Sequence, residues 1–361
     1  MGQTTLTIEQ ATNQAINDYF SKNTVNCQKI VKLILDSDGN QLISNYLQAL
    51  LLYKNKNHNE GKQLMLAIEQ AYPQFLGFDY KNGLLEQQGN SDWLILKENR
   101  LKEFCYINSI DNFIISFPKC GRTWLRMMLG KYLLNDQEGD PIELLQLTQK
   151  MPNVPNTELS HDDYPMWKHI DKMFEDKSIY SDKKVVWLTR DPRDAFVSYY
   201  FQHTKRHDGK RANDSFNGSM KDFLTHPIGG LPSIIKFYNI WAKNLRTPKA
   251  MYVLSYEKIH QDPFDTMKSL IEFLNFPDFG DQAIQKAVDY CQFDNMKKIE
   301  RENLINNPRL QSTNVSDPEA FKVRKGKVGG YTEYLTPEEI DFMEQYILEN
   351  LDPFYANLGY L

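Results

Sequence analysis

The sequence predicts an α/β fold, a parallel β-sheet flanked by helices, preceded by an additional helical N-terminal region. Two observations carry the sheet. Short apolar, strand-like runs recur at Asn112–Phe117, Lys184–Thr189 and Ala250–Ser255, and segments of helical spacing separate them. Strands alternating with helices argue for parallel pairing, with both faces of the sheet covered. A third observation sets the N-terminal region apart: its apolar residues recur at helical spacing with no comparable strand run.

Within residues 1–105, Ile30, Leu33 and Ile34, then Leu42, Ile43, Leu47, Leu50 and Leu51, mark amphipathic helices, with breaks at Gly39 and Asn55–Asn59. Tyr46–Tyr72 resembles a single tetratricopeptide hairpin, short of the roughly three repeats a solenoid needs. The region is therefore expected to be a cap, a homodimerisation element or a partner-binding module. Residues 106–361 form the second domain. Its first strand enters a Pro-Lys-Cys-Gly turn and a helix over Thr123–Leu134, and its second runs into RDPRD and a helix through Tyr200. Further helices are expected at Pro263–Leu274, Gln282–Tyr290 and Pro337–Leu348, and the polar stretch Gln202–Met220 reads as a mobile surface loop.

Composition narrows the function classes. The 361 residues are 41% hydrophobic and 25% charged, which suits a globular chain. A formal charge of −5 weighs against a nucleic-acid partner. No apolar run approaches the roughly 20 residues of a membrane span, and MGQTTLTIEQ fits neither a signal peptide nor a myristoylation site. A cytoplasmic protein without membrane partners is expected, so Asn213-Asp-Ser and Asn217-Gly-Ser carry no weight as glycosylation sites. Cys27, Cys105, Cys120 and Cys291 are scattered and suggest neither disulfides nor zinc.

The turn after the first strand has the ingredients of an anion site. A helix N-terminus offers free N–H groups and a favourable dipole. Phe117–Trp124 adds a proline, the cation Lys119, Gly121 and the Thr123 hydroxyl. It is not a Walker A loop, because Lys119 precedes the glycine. Taken alone, the segment is also compatible with an ordinary strand-to-helix turn.

Pro118-Lys-Cys-Gly-Arg-Thr-Trp124 resembles the 5′-phosphosulfate loop of sulfotransferases that use 3′-phosphoadenosine 5′-phosphosulfate (PAPS), usually PKSGTTW; Cys120 and Arg122 depart from it. Arg190-Asp-Pro-Arg-Asp-Ala-Phe-Val-Ser198 is similar to that family's 3′-phosphate motif, in which the Arg and the Ser contact the phosphate. Val323-Arg-Lys-Gly-Lys-Val-Gly-Gly-Tyr331 is similar to its RKGxxGDW segment, with Gly330 and Tyr331 where Asp and Trp are typical. The three segments occur in the family's order, and the resemblance spans about Asn112 to Tyr334.

The resemblance implies a P-loop-like sulfotransferase domain. Its donor would be bound by Lys119, Cys120, Gly121, Arg122, Thr123, Trp124, Arg190, Ser198, Tyr256, Phe293, Met296, Arg324, Lys325 and Gly326. Trp124, Tyr256, Phe293 and Met296 would surround the adenine. The product would be 3′-phosphoadenosine 5′-phosphate (PAP), with no metal. Lys119 would stabilise the leaving phosphate, and His161, in the family's position for a Thr/Ser-His pair ending an intervening strand, would be the general base. His169 is the second choice; His203, His207 and His226 read as exposed or acceptor-side residues. Cys120, at a helix start, has the setting of a low-pKa thiol as well as that of a plain serine substitute. The expected acceptor is a small polar molecule, perceived as a bacterial natural product such as a guanidinium alkaloid or glycolipid, taking the group on a hydroxyl or amine. A nucleotide-dependent phosphotransferase and an inactive PAPS-binding scaffold are the rival readings.

Overall fold

The computed structural model describes residues 6–72, 92–135, 137–144, 151–205, 216, 218–305, 307, 310–311 and 316–361. The chain divides into two compact units, Met1–Asn108 and Ser109–Leu361. The boundary expected at 105/106 falls inside the helix Trp93–Asn108.

In the first unit, helices Ile8–Phe20 and Thr24–Ser37 are followed by Leu42–Lys54 and His58–Ala71. The hairpin expected over Tyr46–Tyr72 is present as Leu42–Lys54 and His58–Ala71, and a second pair of helices precedes it. Asn55–Asn57 supply the break inside the expected hairpin, and Gly61 lets its helices approach: a Cβ there would meet the Ala49 carbonyl oxygen at 2.7 Å. Tyr19, Cys27, Val31, Tyr46, Leu47, Leu50 and Met65 make the core. Leu33 is 69% exposed, a correction to the apolar face read from spacing; Ile34 is buried as expected, and Val31 joins it. The buried Glu69 carboxylate pairs with Lys97 at 2.7 Å and with Arg100, tying His58–Ala71 to Trp93–Asn108.

The second unit is built on a four-stranded parallel sheet in the order β2-β1-β3-β4. Its strands are β1 Asn112–Ile115, β2 Thr157–Ser160, β3 Lys184–Thr189 and β4 Ala250–Ser255. All four residues of β1 are buried, as are five of six in β3, which is why these strands read as unbroken apolar runs. β1 stops two residues earlier than expected, because Phe117 and Pro118 already belong to the turn. Helices at Arg122–Leu134, Asp281–Tyr290 and Pro337–Asn350 match the expected ones to within two residues.

The helix entering at Pro192 runs to Lys205, past the expected end at Tyr200. Most of the expected mobile loop, residues 206–215 and 217, lies outside the described residues, as do His207 and both Asn-X-Ser asparagines. Helix Leu231–Lys243 was not among the sequence expectations. Its start is marked by Gly230 and Pro232, and Phe237 and Trp241 pack on Trp187 of β3, with ring centroids 5.4 and 5.5 Å away.

Candidate active site

Each of the four strands ends, at the same edge of the sheet, on a residue that faces one cavity. β1 leads into Lys119, β2 into His161, β3 into Arg190 and β4 into Tyr256, and all four line a cavity of about 800 Å³. The carboxyl edge of a parallel sheet, where strand order reverses, is the usual ligand position in open α/β folds. Here β1 and β3 are neighbours while their connections leave in opposite directions.

The β1 turn is set by two left-handed residues, Lys119 at φ 72° and Gly121 at φ 88°. A Cβ on Gly121 would lie 2.6 Å from Tyr256 Cδ2. The glycine is thus demanded by both backbone and ring. Gly121 is the N-cap of Arg122–Leu134 and no side chain caps that helix, so its first N–H groups are available to an anion. Lys119 Nζ donates to Gln202 Oε1 at 3.3 Å. Arg122 and Thr123 line the cavity with them.

Cys120 does not line it. The thiol is fully buried, 3.5 Å from the Tyr238 hydroxyl. Burial pushes its pKa up to about 12, against the low-pKa reading of a cysteine at a helix start. Desolvation outweighs the helix dipole here.

Arg190 lies across from the turn. Its Nη1 donates to the Lys119 carbonyl and its Nη2 to the Lys327 carbonyl, both at 3.1 Å. The guanidinium also lies 4.3 Å from the centre of the Tyr256 ring. Its Nε is buried without a hydrogen-bond partner, an unsatisfied donor that an anion in the cavity would complete. Ser198, two helical turns on, also lines the cavity.

The C-terminal segment closes the same side. Arg324 pairs with Glu319 at 2.8 Å and sits 4.6 Å from both the Phe201 and Tyr334 rings. Lys325 and Lys327 both pair with Glu333. Gly326, at φ 60°, passes over Phe293, and its carbonyl is 2.8 Å from His260 Nε2.

Trp124, Tyr256, Phe293 and Met296 line the end of the cavity nearest this segment. Trp124 Nε1 donates to the Cys291 carbonyl at 2.8 Å, and its ring meets Tyr256 edge-on at 5.7 Å. His260 completes this aromatic group, 6.1 Å from Trp124.

His161 follows β2 directly. Its Nδ1 lies 2.8 Å from the Ser116 carbonyl oxygen at the end of β1. A carbonyl only accepts, so Nδ1 carries the proton and the neutral ring keeps its lone pair on Nε2. Burial first, and then the Arg122 charge, hold the imidazole well below the usual histidine range. His169, the alternative base, is an exposed residue before the short turn Ile170–Lys172, bonded to Asp171, and is absent from the described lining. His203 does line the cavity, stacked on Tyr199 at 5.8 Å. His226 turns onto its own loop, 2.7 Å from the Ile228 carbonyl oxygen.

Several supporting residues escaped the sequence reading. Buried Asp194 accepts N–H bonds from Gly329 at 2.8 Å and Tyr331 at 3.0 Å, fixing the closing segment. Buried Glu300 does the same for Lys322 and Val323. The Tyr238 hydroxyl donates to the Arg190 carbonyl at 2.8 Å, and Glu257 accepts the Asp191 N–H at 2.9 Å. The available signal was the second acid of RDPRD; nothing local marked the other three.

Gly121→Ala is expected to lower stability by about 2–4 kcal/mol, combining left-handed strain with overpacking against Tyr256. Thermal and urea unfolding of the variant measure this directly.

Residues 109–354 match the sulfotransferase domain family. Cytosolic sulfotransferase 16 of Arabidopsis thaliana is 28% identical over 250 residues, covering 63% of this chain and 72% of that protein. Flavonol 3-sulfotransferase of Flaveria bidentis is 24% identical over 258 residues, covering 67% and 81%. Among solved structures, mouse sulfotransferase SULT7A1 complexed with PAP aligns at a TM-score of 0.47 and 20% identity, over 67% of this chain and 84% of that one. With its sulfotransferase domain filling the second unit, the chain belongs to the sulfotransferase family, enzymes that move a sulfuryl group from PAPS to an acceptor.

Proposed function

We propose that the chain transfers the sulfuryl group to the hydroxyl of a small, planar, polar acceptor, with His161 as general base and Lys119 stabilising the leaving phosphate. The observation that carries this reading is the convergence of Lys119, His161, Arg190 and Tyr256, from four strand ends, on one cavity.

In this reading His161 Nε2 takes the acceptor proton as the acceptor oxygen bonds to sulfur. The bond from sulfur to the 5′-phosphate oxygen breaks, and its electron pair stays on that oxygen. Lys119 and the uncapped helix N-terminus offset the charge that builds there. Arg190, Ser198, Arg324, Lys325 and Gly326 hold the 3′-phosphate, and guanidinium groups suit it because their donors match its oxygens. Trp124, Tyr256, Phe293 and Met296 enclose the adenine.

A planar acceptor is supported by aromatic residues elsewhere in the lining. Tyr164 and Trp167 stack in parallel at 5.3 Å, with Met166, Tyr199 and His203 nearby in the lining. Flat aromatic walls favour a flat ligand. The flavonol named in one relative is of that kind. A cytoplasmic location is supported by the names of the cytosolic relatives, and no described helix is long and apolar enough to cross a membrane.

Calorimetry with PAP and with ATP tests the donor assignment. PAP is expected to bind at least tenfold more tightly than ATP, and Arg190→Ala to weaken PAP by about tenfold or more, the cost of one strong charge-assisted contact. Equal affinity for the two nucleotides would favour the phosphotransferase reading instead. PAP binding without sulfuryl transfer to any acceptor would favour the scaffold.

A further inference from the structure

Two side chains hold the middle of the closing segment. Among the described residues, the backbone between Arg324 and Val328 is met by His260 and by Arg190. His260 Nε2 lies 2.8 Å from the Gly326 carbonyl oxygen, and Arg190 Nη2 donates to the Lys327 carbonyl at 3.1 Å. The flanks are held separately. Glu300 accepts the N–H groups of Lys322 and Val323, and Asp194 those of Gly329 and Tyr331. A carbonyl only accepts, so His260 Nε2 carries a proton and is the donor.

The position of His260 follows from its helix. It lies four residues after Tyr256 on Tyr256–Gln261, a spacing that puts both side chains on one face. The two rings are 6.0 Å apart, and the Trp124 ring is 6.1 Å from His260. On the segment's side, Gly326 rests on Phe293, where a Cβ would lie 2.4 Å from Cδ2. One hydrogen bond therefore joins the aromatic residues assigned to the adenine with the segment assigned to the 3′-phosphate. Arg190 is also assigned to that phosphate, so its donors are divided between ligand and segment. His260 makes its bond to the protein's own backbone.

We infer that His260 is a positioning residue of the donor site. Its Nε2–H latches the Gly326 carbonyl, keeps the closing segment over the bound nucleotide and slows the release of PAP. This rests on the sulfotransferase reading of the same cavity. Charged side chains govern the encounter with an anionic ligand, whereas a latch acts once the ligand is in place. Its loss is therefore expected in koff rather than in kon.

The test is stopped-flow fluorescence of PAP binding to the full chain, with Trp124 in the lining as reporter. The concentration dependence of the observed rate separates kon from koff. His260→Ala is expected to raise koff by about three- to tenfold, the span of one neutral hydrogen bond, and to change kon by less than about twofold. Glutamine carries its amide N–H as far out as Nε2, and asparagine only as far as Nδ1. His260→Gln should therefore restore most of the slow release, while His260→Asn should resemble alanine. An unchanged koff in His260→Ala, a loss carried by kon, or an asparagine variant that restores koff as well as glutamine does would overturn the inference. Failure of PAP to bind the unmodified chain would instead remove the sulfotransferase reading, and that is seen before any variant is compared.

Discussion

Replacing His161 by alanine is expected to lower kcat by more than about a hundredfold, the usual contribution of a general base. The ring is held by one bond, from Nδ1–H to the Ser116 carbonyl at 2.8 Å, which leaves Nε2 as the proton acceptor. Its surroundings keep it in the form a base requires. Burial and the Arg122, Lys322 and Arg126 charges all disfavour the imidazolium, while the Ser116 bond partly opposes them. The folded-state pKa therefore lies well below 6.5. A base whose pKa is depressed stays neutral on mild acidification, so kcat/KM for the donor should remain level as pH falls through 6.5. The acid limb appears only below that value. Arg122→Thr removes a like charge and should shift the limb upward. Stability follows the same sign: the unfolded chain takes up the proton that the native ring refuses, so His161 costs stability only as pH falls below 6.5. A near-normal kcat in His161→Ala, or an acid limb unmoved in Arg122→Thr, would count against this assignment.

The route by which His161 was found shows what the sequence could carry. β1 and β3 were legible because buried parallel strands leave dense apolar runs, and Lys119 and Arg190 were legible because each lies just beyond such a run. His161 follows β2, whose four residues Thr-Glu-Leu-Ser alternate between buried and half-buried; periodicity gave no strand there, and only the resemblance located it. For Cys120 the sequence left a low-pKa thiol open beside a plain serine substitute, because helix position was visible in it while burial was not; the buried thiol removes the first. Asp194, Glu300, Tyr238 and Glu257 were missed for a related reason. Their importance lies in which backbone N–H or carbonyl they meet across 22 to 137 positions of chain, and no local pattern encodes such pairings. In the first unit, spacing identified helices but misjudged Leu33, since one residue of slippage turns a side chain by about 100°.

Lys119→Ala is expected to cost about 10²–10³ in kcat, comparable to the loss of one preorganised donor at a developing anion. Lys119 occupies a left-handed conformation at φ 72°, where a non-glycine residue carries roughly 1–2 kcal/mol of strain. Such strain tends to be retained where geometry serves chemistry, and here it keeps the lysine at the mouth of an uncapped helix. Its ammonium donates to Gln202 Oε1 at 3.3 Å, and in the proposed reaction it faces the oxygen of the leaving phosphate. The charge on that oxygen is larger in the transition state than in bound PAPS, and the lysine is therefore worth more to kcat than to affinity. PAP affinity and kcat should consequently diverge in Lys119→Ala, with the loss in kcat the greater. Lys119→Arg keeps a cation but spreads it over a planar fork, and should recover only part of the rate. Alanine bears the same left-handed strain as lysine, so the melting temperature should scarcely move. That separates a lost charge from a collapsed turn. If kcat at saturating substrates were unchanged and only the donor KM rose, Lys119 would be a binding residue, and the helix N-terminus would have to stabilise the leaving phosphate by itself.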